Sequence, residues 1–100
     1  MTKELHVIVF TMKGCPFCDD FKTMLENENI NFVDRDIHEY EEEYQIYTEI
    51  TNNEMVPSLL LIETDGEDNK SYLYAPERDY NELTEAVEII RDHIIISGVN

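Results

Sequence analysis

The chain has 100 residues, 42% of them hydrophobic, which suits a single globular domain over residues 1–100. Its 23 acidic residues against 7 basic ones give a formal net charge of −16. That balance works against nucleic acid and anionic lipid as partners and keeps the chain dissolved.

No apolar run nears the roughly 18 residues of a membrane span, and the first residues lack the pattern of a cleaved leader. Only two cysteines are present. Together these features predict a cytoplasmic monomer in a reducing compartment, where a cysteine pair is more often reactive than structural.

Leu5 to Thr11 is rich in β-branched residues and predicts a buried strand. Met12-Lys13-Gly14 breaks it. Pro16 suits a first helical turn, and Phe17, Phe21, Met24 and Leu25 form an apolar stripe that predicts a helix over 16–28. The alternation from Asn31 to Ile37 predicts a second strand, hence a βαβ unit with parallel strands. Tyr40, Tyr44, Tyr47 and Ile50 fall at helical spacings over 39–51, with Glu41, Glu42, Glu43 and Glu49 mostly on the wet side.

After the Asn52-Asn53-Glu54 loop, Ser58 to Ile62 predicts a buried strand. The polar run Thr64 to Asn69 predicts a long turn, and Lys70 to Tyr74 a strand that folds back as an antiparallel hairpin. Asp79 or Asn81 is placed to cap a last helix whose buried side is Leu83, Ala86, Val87, Ile90 and Ile94. The order β-α-β-α-β-β-α predicts an α/β fold with a four-stranded mixed sheet flanked by helices.

The chemistry concentrates in Cys15-Pro16-Phe17-Cys18. Two cysteines three apart at a strand–helix junction can meet within one helical turn. A helix N-terminus offers free amides and partial positive charge, which favour thiolate over thiol. Cys15, before the first turn, is the candidate nucleophile. Cys18, one turn in, is the candidate resolving thiol. Pro16 pre-sets the first turn, Phe17 offers an apolar contact to substrate, and Lys13 adds positive charge nearby.

No metal site is expected, since tetrahedral zinc takes four ligands and His6, His38 and His93 are scattered. Other uses of the pair are inert core cysteines or a cluster shared across a dimer. Pro57 opens a strand without needing an amide partner. Were its bond cis, the Val56 backbone would be free to pair with a bound peptide.

Val7-Ile8-Val9-Phe10-Thr11 leading into Gly14-Cys15-Pro16-Phe17-Cys18, then Phe21 and Leu25, then Val56-Pro57 before a strand, resemble the glutaredoxin branch of the thioredoxin-like fold. The resemblance spans nearly the whole chain. It implies that Cys15 attacks disulfides, including glutathione mixed disulfides, and that Cys18 resolves protein disulfides. It implies a cis Pro57 beside the dithiol and a thiol groove lined by Phe17. It also implies glutathione as co-substrate with no tightly bound cofactor. The implied partners are disulfide-containing proteins, such as a ribonucleotide-reducing enzyme, or a thioredoxin-type reductase.

The chain departs from that family at Met12, where many members carry lysine, and at Met55, where many carry threonine. It lacks the glycine pair after the hairpin, and its hairpin loop reads as longer. Tyr74-Ala75-Pro76-Glu77-Arg78 is more similar to a stretch of thioredoxin and disulfide isomerase domains, and Asp79 is left as the candidate acceptor for a substrate amine. Two rival functions stay open. One is a thioredoxin-like reductase or oxidase that ignores glutathione, and the other is a redox-inert acidic adaptor using the helix over 39–51.

Overall fold

The computed structural model describes residues 3–97. Strand β1 (Lys3–Thr11) is followed by helix α1 (Pro16–Asn27), β2 (Val33–Asp36), α2 (Glu41–Thr51), β3 (Ser58–Asp65), β4 (Asp68–Tyr74) and α3 (Leu83–Ser97). The strands lie in the order β2-β1-β3-β4. β1 runs parallel to β2 and antiparallel to β3, and β3 runs antiparallel to β4. This is the expected mixed sheet and the thioredoxin-like order of elements.

β1 is central and therefore buried on both faces, which is why its sequence is nearly continuous in apolar residues. Val7 and Val9 point to one face and join Phe21, Leu25, Leu59, Leu61, Val87 and Ile90. Ile8 and Phe10 point to the other and join Tyr47 and Ala75. α1 and α3 thus cover one side of the sheet and α2 the other. The Phe10 ring centroid sits 5.5 Å from those of both Tyr44 and Tyr47.

Four expectations about elements need correction. The α2 stripe does not include Ile50, which is 64% exposed. At 100° per residue Ile50 lies about 60° round the helix from Tyr47, and Thr51 takes the buried place, its hydroxyl donating to the Tyr47 carbonyl at 2.8 Å. β2 is only four residues long, because pairing with β1 begins at Ile8↔Val33, and Val33 is 45% exposed.

The long turn contracts to Gly66-Glu67. Thr64 and Asp65 pair with Asn69 and Asp68 across the hairpin, so the polar side chains face water while their backbones complete the ladder. Gly66, at φ 66°, supplies the left-handed residue the tight turn needs. The hairpin loop is therefore short, and its strands carry the extra length.

Neither Asp79 nor Asn81 caps α3 with its side chain. Glu85 reaches back to accept from the Glu82 amide at 2.9 Å and the Asn81 amide at 3.3 Å, the return half of a capping box.

Tyr47 fastens α2 to the end of β4: its buried hydroxyl donates to the Tyr74 carbonyl at 2.6 Å. Burial pushes its pKa up from 10.0 to about 12. A group whose folded pKa is raised contributes stability that is complete below its unfolded pKa and is lost as pH rises through the folded one. The urea midpoint should therefore fall between about pH 10 and pH 12, with one or more of the six tyrosines ionising late in an ultraviolet titration. Tyr47→Phe should flatten that slope and cost about 1 kcal/mol at neutral pH, read by urea unfolding.

Candidate active site

Two segments meet at one end of the sheet. β1 ends at Thr11 and β3 begins at Ser58, and the pairing Phe10↔Ser58 makes these ends neighbours. The chain leaving β1 therefore enters α1 beside the loop that leads into β3.

Gly14 turns the chain between β1 and α1 at φ 78°. A β-carbon there would meet nothing within 4 Å, so the backbone angle is what calls for glycine. The turn closes with the Cys15 amide donating to the Met12 carbonyl at 3.3 Å. Cys15 is the N-cap of α1 and Pro16 occupies the first turn.

Cys15 and Cys18 are joined as a disulfide with their α-carbons 5.3 Å apart. The Cys18 amide donates to the Cys15 sulfur at 3.1 Å. An orphan donor of the helix start is thus aimed at the sulfur best placed to carry negative charge. Both residues are buried, but Cys15 keeps 7% of its surface and Cys18 none.

Beside them lies a groove of about 360 Å³ whose apolar walls include Phe17, Met24, Val56, Pro57, Tyr80 and Leu83. Phe17 is 66% exposed. The Val56–Pro57 bond is cis, and Val56 makes no backbone hydrogen bond outside regular structure among the described residues. Cys15, Phe17, Val56 and Pro57 thus gather at one end of the molecule.

The other predicted residues do not line the groove. Lys13 is exposed on the turn and forms no ion pair among the described residues. Pro16 is exposed on the helix start and does not line the groove. Asp79 does not line it either. Its Oδ2 accepts from the Ala75 amide at 2.8 Å and from Arg78, with Nη2 at 2.7 Å. Through that oxygen the Asp79 carboxylate holds the turn after β4.

Four residues that hold the proline loop carried no flag in the sequence. Tyr80 is buried and its hydroxyl donates to the Pro57 carbonyl at 2.7 Å, and burial pushes its pKa upward. Tyr44 donates to the Glu54 carbonyl at 2.7 Å. Asn53 donates to the Pro76 carbonyl at 2.8 Å and accepts from the Met55 amide at 2.9 Å. Ser58 donates to the Met55 carbonyl. The available signal was general: a loop led by proline has few ladder bonds, so its carbonyls need side-chain donors. Their positions, 23 residues away for Tyr80, are tertiary.

The Glutaredoxin family model matches residues 7–64, a stretch that holds both cysteines and Pro57. The chain belongs to the glutaredoxin family. With the Cys15–Cys18 disulfide at the start of α1, it is a thiol–disulfide oxidoreductase.

The structure is similar to Trichomonas vaginalis thioredoxin, with a TM-score of 0.55 and 15% identity, covering 90% of this chain and 76% of that one. That likeness bears on the fold alone. Thioredoxin 1 from the thermophilic eubacterium Thermosipho africanus gives a TM-score of 0.48 and 19% identity, covering 93% and 98%. No curated protein matches the sequence significantly. No helix among the described residues is long and apolar enough to cross a membrane.

Tyr80→Phe should leave the buried Pro57 carbonyl without its donor. The expected cost is about 1–3 kcal/mol of unfolding free energy, measured in urea against the wild type.

Proposed function

We propose that this glutaredoxin-family chain reduces protein disulfides and glutathione mixed disulfides, with glutathione as the electron donor. The observation that carries the assignment of roles is the asymmetry of the pair. Cys15 is the more accessible residue and its sulfur receives the Cys18 amide, while Cys18 is fully covered.

Cys15 attacks as thiolate. One substrate sulfur bonds to Cys15 and the other leaves with the electron pair, taking up a proton. Cys18 then loses its proton and attacks the Cys15 sulfur, which releases the second product thiol and leaves the Cys15–Cys18 disulfide. Two glutathione molecules reset it, giving up two protons and two electrons and leaving as glutathione disulfide. Phe17 and the walls at Val56 and Pro57 hold the substrate against Cys15. The free Val56 backbone supports recognition of main chain over side chain, which suits a broad set of protein substrates.

A second donor is favoured by one observation. The Asp79 Oδ2 already accepts from the Ala75 amide and from Arg78, which leaves less of this carboxylate for a glutathione amine. A dedicated reductase would then reset the dithiol.

Cys15→Ser should abolish reduction of every disulfide. Cys18→Ser should retain reduction of glutathione mixed disulfides and lose reduction of protein disulfides. Turnover coupled to glutathione and its reductase, set against turnover coupled to thioredoxin reductase, decides the donor. Residual activity in Cys15→Ser would refute the assignment of the nucleophile.

A further inference from the structure

Three carboxylates line the groove beside the dithiol. Asp20 lies in the early turns of α1, Glu77 in the turn after β4, and Glu82 just before α3. All three are exposed, and none forms an ion pair among the described residues. No lysine or arginine lines the groove. Of the nearby cations, Lys22 binds Asp34 and Asp19, Arg78 binds Asp79 and the Leu73 carbonyl, and Lys13, exposed on the turn before Cys15, is not among the groove's lining residues.

Glu77 adds a further point. It sits at φ 69°, a left-handed angle that favours glycine. What the chain carries there instead of a glycine is a negative charge on the groove rim.

From this charge pattern we propose that the preferred substrate is a protein disulfide whose cysteine is flanked by lysine or arginine. The inference rests on the dithiol chemistry proposed above and narrows its substrate. A peptide crossing the groove lays apolar atoms on Phe17, Pro57 and Leu83 and brings its neighbouring cations within reach of Asp20, Glu77 and Glu82. The same carboxylates oppose substrates that carry net negative charge. A cleft lined by one sign of charge raises the encounter rate of the opposite sign, most strongly at low ionic strength.

The test uses the pre-reduced chain in single turnover, so that no electron donor enters the reading. Two peptides are compared, each with one internal disulfide and the same sequence except for lysine or glutamate beside the cysteines. The lysine peptide should be reduced faster by on the order of tenfold or more at low salt, with the ratio compressed in strong salt.

The Asp20→Asn, Glu77→Gly, Glu82→Gln triple variant should cut that ratio severalfold. Glu77→Gly alone relieves the left-handed strain, so its stability should not fall while its selectivity does. A distal control, Glu41→Gln, Glu42→Gln, Glu49→Gln on α2, removes as much charge away from the groove and should keep the ratio. Equal rates for the two peptides overturn this inference alone. A ratio that falls as far in the distal variant as in the groove variant also overturns it, because net charge would then suffice. Failure to reduce either peptide overturns the dithiol reading itself.

Discussion

The pairing of Phe10 with Ser58 places everything else in the site. It fixes where β1 gives way to the Gly14 turn and where the proline loop gives way to β3, on adjacent strands at one end of the sheet. A shift of one residue would turn Val7 and Val9 from the α1–α3 side to the α2 side, and every apolar contact of the core opposes it. The strength of the hydrophobic pattern thus becomes the precision of the redox site.

That precision is passed on through hydrogen bonds to backbone. The proline loop has few ladder bonds of its own, and its carbonyls and amides are held by Tyr44 from α2, Ser58 from β3, Tyr80 from the segment before α3, and Asn53 within the loop. Val56 stays outside this set: it lines the groove, and its main chain makes no hydrogen bond outside regular structure among the described residues. A loop held everywhere except at one residue is rigid and still has a place to bind, which is the economy expected of a preorganised site.

The features most legible in the sequence were those set by short-range rules. The β-branched run of β1, the stripe of α1 and the dithiol at its start all depend on residues close in the chain, and the order of elements followed from them. The features that misread were set by neighbours distant in sequence. Ile50 sits at a plausible helical spacing, but whether it is buried depends on where the sheet lies under α2. Thr64 to Asn69 is polar enough to read as a loop, yet its backbone finds ladder partners in β1 and across the hairpin. Asp79 reads as a cap of α3, whereas its Oδ2 holds the turn after β4 through Ala75 and Arg78. Tyr80 carries no local mark because its partner is a carbonyl in another element.

The tight Gly66-Glu67 tip has a practical consequence. It closes the end of β3 opposite Pro57, and β3 is eight residues long, so the tip stands about 25 Å from the Pro57 end of that strand at roughly 3.3 Å per residue. A fluorophore or an affinity handle attached there would report on the molecule or tether it to a surface, leaving the mouth of the groove clear for an incoming protein.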